Sequence, residues 1–156
     1  MHGNMTDRVG QMRSMVEGAV LRYGRLLDTQ SYPEWLEYFT PDGIYQVIQR
    51  QNYDRGEPLY LINEALPVLS ARLAAYAAEE EPPELHFFNG ITAETARDPD
   101  RVAAQTAGIV FKAGEIAHVA RYFFDFVAAN DATLRAQRVL IVLEGPVVQT
   151  AITTPI

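Results

Sequence analysis

The side chains of this sequence that could do chemistry are carboxylates, a histidine and tyrosines. The main candidates are Asp28, Asp42, Tyr45, His86 and Asp125, and Tyr45 is one of eight tyrosines. A buried carboxylate with a raised pKa, next to a histidine or tyrosine donor, can remove or deliver a proton near neutral pH. If these residues meet inside an apolar pocket, they predict general acid–base chemistry.

Each candidate also has a structural explanation. His86 lies on a predicted strand, where its ring can be hydrogen-bonded within a core or an interface. Asp28 lies where a predicted helix ends, so the helix dipole does not favour a carboxylate there, and the side chain can bond loop backbone. Asp42 belongs to a predicted turn. Asp125 and Arg121 lie four residues apart on a predicted strand, so they share a face and can form an ion pair.

Metal and redox chemistry has few ligands in this sequence. There is no cysteine, and iron–sulfur clusters need cysteine thiolates, even in the Rieske type, where two histidines replace two of them. The three histidines, His2, His86 and His118, lie far apart and lack the spacing of a metal-binding motif. We therefore expect this chain alone to bind neither an iron–sulfur cluster nor a mononuclear iron.

Length and composition predict one domain over residues 1–156, with residues 1–5 disordered. The net charge of −7, from 13 basic and 20 acidic residues, argues against nucleic acid as a partner. No apolar run reaches the roughly 18 residues of a membrane span, and the first residues lack the apolar stretch of a signal peptide. With no cysteine, these features favour a cytoplasmic protein without a membrane partner.

Helices that could position the candidate residues are predicted in the first half of the chain. A long helix from about Thr6 to Asp28 is indicated by apolar residues at spacings of three and four, namely Val9, Met12, Val16, Ala19, Tyr23 and Leu26. Ser31 and Glu34 have the spacing of a capping box, which predicts a second helix from Tyr32. A third helix, capped by Asn63, has the apolar stripe Leu66, Leu69, Leu73 and Tyr76.

Strands are predicted where the period changes to two. Residues 40–43 (Thr-Pro-Asp-Gly) predict a turn before a strand at Ile44–Ile48, and residues 51–58 predict a loop before a short extended piece at Leu59–Ile62. Four long antiparallel strands follow, at Leu85–Thr95, Val102–Lys112, Ile116–Val127 and Thr133–Leu143. The helices must then cover the concave face of a strongly curved sheet, which predicts an α+β cone with an apolar interior. The predicted core comprises Val9, Val16, Tyr23, Trp35, Phe39, Leu69 and Leu73.

The order of these elements resembles the small subunit of aromatic-ring-hydroxylating oxygenases, in the nuclear-transport-factor-2-like (cystatin-like) superfamily. The residues that carry the resemblance are Arg25–Asp28, Trp35–Leu36, Arg55–Tyr60, His86–Asn89 and Arg138 followed by an apolar strand. The C-terminal residues 153–156 are similar to subunits whose oxygenases act on aromatic carboxylates. The resemblance implies a cone of three N-terminal helices packed on a mixed or antiparallel sheet.

The resemblance also implies a non-catalytic role. In this family the large subunit carries the Rieske cluster and the mononuclear iron, while three small subunits support a ring of three large ones. The residues proposed for subunit contacts are Tyr53, Arg55, Tyr60, His86 and Arg138.

Two alternatives remain open at this stage. Relatives by fold include ketosteroid isomerase, scytalone dehydratase and limonene epoxide hydrolase, which use carboxylates, tyrosines and histidines inside the cone. On that interpretation the pocket would contain Asp28, Tyr45, His86 and Asp125. The third possibility is a module that binds a small apolar ligand or forms a dimer.

Overall fold

Four helices and six strands follow one another in a computed structural model that describes residues 3–77, 81–98, 100–129, 133–145 and 155–156, with side chains from residue 9 onward. The elements are α1 (Gly3–Asp28), α2 (Tyr32–Leu36), β1 (Phe39–Gln49), α3 (Arg50–Asp54), β2 (Tyr60–Ala65), α4 (Leu66–Tyr76), β3 (Glu84–Thr95), β4 (Arg101–Lys112), β5 (Glu115–Ala128) and β6 (Leu134–Leu143). Helix α1 begins within the segment 1–5 that was expected to be disordered; residues 1 and 2 lie outside the described residues.

The six strands form one mixed sheet in the order β2-β1-β6-β5-β4-β3. Strands β3 to β6 are consecutive antiparallel neighbours, which confirms the prediction for the second half of the chain. Strand β1 pairs antiparallel with β2 and parallel with β6. The sheet and its helices confirm the predicted α+β class.

The core lies between α1, α2 and α4 and the sheet face that they cover, which we call the inner face. Side chains of β4 and β5 alternate between this inner face and the opposite, outer face. The predicted core is confirmed for Val16, Tyr23, Trp35, Phe39, Leu69 and Leu73. The prediction is wrong for Val9, which is 62% exposed. Val9 precedes the first turn of α1 that packs on the core, and it lines an open groove between α1 and the end of β3.

The segment between α1 and β1 differs from its prediction in two ways. The Ser31 side chain makes no capping bond, because its ψ of 60° is not the extended conformation of an N-cap; its Oγ instead lies 2.8 Å from Thr29 Oγ1. Helix α2 ends at Leu36, and the predicted turn at 40–43 lies within β1, where pairing with β6 shifts register between Phe39 and Ile44. The apolar residues Trp35, Leu36 and Phe39, whose spacing suggests one helix, therefore lie on both sides of a helix–strand boundary.

Two further local predictions are wrong in the segment from β1 to α4. Asn63 does not cap a helix; it lies within β2, and its Oδ1 accepts a hydrogen bond from Gln46 Nε2 at 2.9 Å. Helix α4 begins at Leu66, directly after β2, and its N-cap is Ala65. The predicted loop at 51–58 includes most of helix α3, and Tyr53 of this helix stacks on Phe123 of the outer face at 5.8 Å.

Candidate functional site: a buried histidine–aspartate pair

The end of α1 is joined to β3 by a histidine–aspartate pair. Asp28 Oδ1 accepts a hydrogen bond from the backbone N–H of His86 at 2.9 Å and lies 2.6 Å from His86 Nδ1. The His86 side chain is fully buried, whereas that of Asp28 is 20% exposed. Because a carboxylate only accepts hydrogen bonds, Nδ1 carries the proton and Nε2 is free to interact with another group. The structure therefore brings together two of the predicted pocket residues.

Gly24 makes this contact between α1 and β3 possible. A Cβ atom at Gly24 would lie 2.7 Å from Phe88 Cε2 and 3.0 Å from His86 Cβ. The first distance is too short for a methyl group and the second leaves little room, so a larger residue would force the Phe88 ring or α1 to shift. The last turn of α1 carries Asp28 toward His86 because this glycine lets the two elements touch. In the sequence, Gly24 is visible only as a small residue next to Tyr23 of the apolar stripe, and nothing local shows that β3 approaches it.

Three buried tyrosines lie in the core near His86, Tyr23 on α1 and the other two on the inner face of the sheet. Tyr23, Tyr45 and Tyr122 are almost completely shielded from solvent. The ring centroid of Tyr23 lies 6.4 Å from that of His86 and 6.1 Å from that of Tyr122. Desolvation raises the pKa of all three phenols, so each remains a neutral O–H group at neutral pH. We call Asp28, His86 and these tyrosines the inner polar cluster.

The tyrosines of this cluster differ in their hydrogen bonds. Tyr23 donates to the backbone oxygen of Ile156 at 2.5 Å, and the N–H of Ile156 donates to the Tyr45 hydroxyl at 2.9 Å. The Tyr122 hydroxyl and His86 Nε2 are buried without a hydrogen-bond partner among the described residues. Sequence reasoning singled out Tyr45 but not Tyr23 or Tyr122. Tyr23 lies on the apolar stripe of α1, and Tyr122 on the inward phase of β5, so both positions were readable as core.

The remaining carboxylates of the sequence analysis lie away from this cluster. Asp125 is exposed on the outer face, and its carboxylate lies 3.7 Å from Arg138. The predicted pair of Arg121 with Asp125 is wrong, because the register places Asp125 directly opposite Arg138, and Arg121 instead pairs with Glu144 at 3.4 Å. Asp42 is exposed, and hydrogen bonds from Thr40 and Gln137 lower its pKa.

The residues predicted for subunit contacts occupy different places. Tyr53 and Tyr60 pack beside the outer face of the sheet, and Arg55 follows α3 at an exposed position. Arg138 Nε donates to Gln46 Oε1 at 2.8 Å. The His86 side chain is buried on the inner face, whereas the other four residues are accessible or partly accessible.

A charged group lies near the same end of β3. Lys112 Nζ lies 2.5 Å from Glu81 Oε2 and 3.3 Å from Glu84 Oε1. Burial raises the pKa of Glu84, and the positive charge of Lys112 opposes this shift. Burial lowers the pKa of His118, with a further contribution from the positive charge of Lys112. Within the described residues, no three acidic, histidine or cysteine side chains come together as metal ligands.

The outer face of β3, β4 and β5 carries exposed apolar side chains. The register aligns Phe87, Ile109 and Val119 in one row across the three strands, and Leu85, Phe111 and Ile116 in the next row. Phe87 is 57% exposed and Ile116 is 58% exposed. We call these six residues the outer apolar patch.

None of the helices in the described ranges is long and apolar enough to cross a bilayer.

Comparison with known proteins identifies the fold. No protein-family model matches this chain, and a search of the curated proteins finds no match. A solved structure assigned as the beta subunit of an aromatic-ring-hydroxylating dioxygenase of Novosphingobium aromaticivorans is similar, with 25% identity and a TM-score of 0.81. The match covers 95% of this chain and 99% of that subunit.

Two other solved structures from Novosphingobium aromaticivorans share the fold at lower identity. An NTF2-like protein with a cystatin-like fold is 19% identical with a TM-score of 0.64, covering 92% of this chain and 90% of its own. A protein assigned as a scytalone dehydratase is 14% identical with a TM-score of 0.70, covering 90% and 89%. The fold is therefore nuclear-transport-factor-2-like, and its members include both an oxygenase subunit and a dehydratase.

Proposed function

We propose that this chain is the structural, non-catalytic small subunit of an aromatic-ring-hydroxylating oxygenase. The observation that carries the proposal is the outer apolar patch, which gives this chain a surface for assembly. The similarity to a dioxygenase beta subunit over nearly the whole of both chains supports it. In this role the chain supports an iron-bearing large subunit in the breakdown of aromatic compounds.

The outer apolar patch favours assembly because no described element covers it. Helices α1, α2 and α4 cover the inner face, and α3 lies near β1 and β6 rather than over β3. The patch spans three neighbouring strands with two aromatic rings, Phe87 and Phe111, in edge contact at 5.6 Å. Soluble monomers rarely expose contiguous apolar surface beyond about 600 Å². A partner surface on this patch would remove these side chains from water.

The partner that we propose for the patch is another copy of the chain. A repeated head-to-tail contact closes into a ring under cyclic symmetry, and the family resemblance supplies the number three. Tyr53, Arg55, Tyr60 and Arg138 then remain candidates for contacts between copies or with the large subunit. The large subunit would hold the Rieske cluster and the mononuclear iron, since this chain has no cysteine to ligate a cluster. An aromatic carboxylate as substrate and a cytoplasmic location are the finer parts of this proposal.

Light scattering on paired variants tests the assembly surface. We expect the purified chain to have the mass of three copies, and the double variant Phe87→Glu with Ile116→Glu to be monomeric, because charges would be placed in the patch. Leu21→Glu is the control, since Leu21 is 57% exposed on α1, away from the patch. Both proteins should keep the circular dichroism of the parent. A trimeric double variant, or a monomeric parent that does not bind its large subunit, would refute the proposal.

The second candidate function is acid–base catalysis on the inner face. The observation that favours it is the Asp28–His86 pair, which fixes the proton on Nδ1 and leaves Nε2 without a partner among the described residues. A histidine oriented by a carboxylate is suited to accept or deliver a proton. The fold occurs in a protein assigned as a dehydratase, although a shared fold does not determine chemistry.

The two functions are separated by replacing His86 with Ala in the reconstituted oxygenase. The subunit interpretation predicts that turnover falls only as far as assembly weakens. A loss of turnover in a complex of unchanged mass would instead support direct chemistry by His86. Asp125→Ala provides a control, because Asp125 is exposed on the opposite face.

A further inference from the structure

Helix α3 divides the outer face of the sheet into a raised half and a flat half. Tyr53 of α3 stacks on Phe123 of β5 at 5.8 Å, and α3 lies on β1 and β6. Tyr60 and Phe123 pack on the buried outer side chains of this half, which are Ile48, Leu140 and Val142. The outer apolar patch lies beside α3 on β3, β4 and β5, where Phe87 and Ile116 remain exposed. The outer face therefore has a step next to a flat apolar surface.

The raised half carries exposed apolar side chains of its own. Tyr53, Leu59 and Leu61 are between 39% and 60% exposed. Leu61 points away from the inner core, because its neighbour Ile62 is buried there and successive side chains of a strand alternate. Asn52 Nδ2 donates to the carbonyl oxygen of Leu59 at 3.3 Å, which ties the segment before β2 to α3. We call Tyr53, Leu59 and Leu61 the outer ridge.

Each of these two surfaces has a charged residue at its border, and the two charges are opposite. Arg55 follows α3 beside the outer ridge and is exposed. Glu115 directly precedes Ile116 of the patch and is also exposed. Within the part of the chain that the structure describes, neither side chain forms an ion pair. Opposite charges at the borders of two apolar surfaces favour contact between those surfaces.

The outer ridge and the patch also lie at the same end of the strands. The backbone N–H of Glu144 donates to the carbonyl oxygen of Val119 in the patch at 2.8 Å, and the Glu144 carboxylate lies 3.5 Å from Arg50, the first residue of α3. A rotation moves a surface around its axis without changing the height of that surface along the axis. A ring whose axis runs along the strands can therefore bring the ridge of one copy onto the patch of the next.

We propose that the outer ridge of one copy covers the outer apolar patch of the next copy, with Arg55 facing Glu115. The inference rests on the proposed function, which makes the patch a contact between copies, and it adds the surface that fills the patch. The contact is head-to-tail, because the ridge and the patch are different surfaces of the chain. In a closed ring every ridge meets a patch, so neither apolar surface is left in water.

Light scattering on ridge variants tests which surface covers the patch. Leu59→Glu with Leu61→Glu leaves every patch residue in place, and we expect this double variant to be monomeric where the parent is trimeric. Leu21→Glu with Val68→Glu is the matched control, because it places the same two charges at exposed positions on α1 and α4, which cover the inner face. Both variants should keep the circular dichroism of the parent. A trimeric ridge variant would overturn this inference and leave the proposed function standing, whereas a monomeric parent would refute both.

Charge reversal tests the pairing of Arg55 with Glu115. At low ionic strength, either Arg55→Glu or Glu115→Arg alone should raise the dissociation constant of the trimer at least about tenfold, because like charges would then meet. The variant that combines both reversals should return to within about threefold of the parent, since it restores an opposite pair. Arg22→Glu, an exposed reversal on α1, should have no effect. A combined variant that assembles no better than the two single variants would overturn the proposal.

Cross-linking gives a readout that does not depend on affinity. The chain has no cysteine, so Arg55→Cys and Glu115→Cys introduce only the thiols under test. With both changes in one chain, a short bismaleimide should link the copies into a covalent trimer. Each single variant should stay unlinked, because a head-to-tail contact does not bring two copies of the same residue together. A linked dimer of either single variant, or no linked product from the combined variant, would contradict the proposal.

Discussion

Removal of the Asp28 carboxylate is the perturbation whose effect follows most directly from the structure. In Asp28→Ala, the backbone N–H of His86 and its Nδ1–H both lose their acceptor, Asp28 Oδ1. A buried donor that is left without a partner costs about 1–3 kcal/mol. Two such donors, one on the backbone and one on the buried ring, would cost about 2–6 kcal/mol, and access of water through the 20% exposed position of Asp28 favours the lower half of this range.

The expected loss in the free energy of unfolding is therefore about 3 kcal/mol, measured by urea denaturation. For a chain of this length, that corresponds to a melting temperature lower by roughly 6–12 °C. Asp28→Asn should lose less, because the amide oxygen can still accept one of the two hydrogen bonds. The change should appear in the denaturation midpoint without a change in its slope if the folded structure is otherwise retained.

Asp125→Ala is the matched control for this measurement. It also removes an aspartate that pairs with a basic side chain, but its carboxylate is 53% exposed and lies 3.7 Å from Arg138. Exposed ion pairs of this kind contribute about 0–1 kcal/mol. Equal destabilisation by Asp28→Ala and Asp125→Ala would show that the buried histidine–aspartate pair does not hold α1 against β3.

Two further predictions concern packing and pH. Gly24→Ala should destabilise the protein by about 1–3 kcal/mol, because its methyl group would meet Phe88 at 2.7 Å, whereas Gly18→Ala, with open space around it, should stabilise α1 by up to about 1 kcal/mol; equal shifts in thermal melting would contradict this. Burial lowers the pKa of His118 in the folded protein below the usual value. As the pH falls through about 6.5, the unfolded chain therefore takes up a proton at His118 before the folded protein does, and the protein loses stability as the pH decreases. His118→Gln should therefore lose less stability than the parent between pH 7 and pH 5 in urea denaturation, and identical losses would show that His118 does not contribute.

The regular elements could be predicted from the sequence because their signals are local. The stripe of α1 and the alternation of β4 and β5 are set by side chains that are close in the chain. Local signals failed where the sheet decided the outcome. Asn63 has the chemistry of a helix cap, but pairing of β2 with β1 places it in a strand. The stripe that includes Val9 continues beyond the part of α1 that reaches the core.

The candidate site was only partly predictable, because it is made by contacts between distant residues. Asp28 and His86 are 58 residues apart, and both were identified by residue type. Their meeting depends on the close approach of Gly24 to β3, which no periodicity reveals. The antiparallel register of β5 and β6 places Asp125 opposite Arg138 on the outer face, and a register between strands cannot be read from the sequence of either strand. Ile156 likewise forms hydrogen bonds with Tyr23 and Tyr45, which precede it in the chain by 133 and 111 positions.

The mass of the native assembly tests the central claim, that this chain is the small subunit of an oxygenase. The chain would be tagged at its own locus, isolated from its host under mild conditions and measured by native mass spectrometry, with metal analysis of the same sample. We predict a complex of three copies of this chain with three copies of a larger chain, containing iron and showing the absorbance of a Rieske cluster. Recovery of this chain as a free monomer, or in an assembly without iron, would contradict the claim.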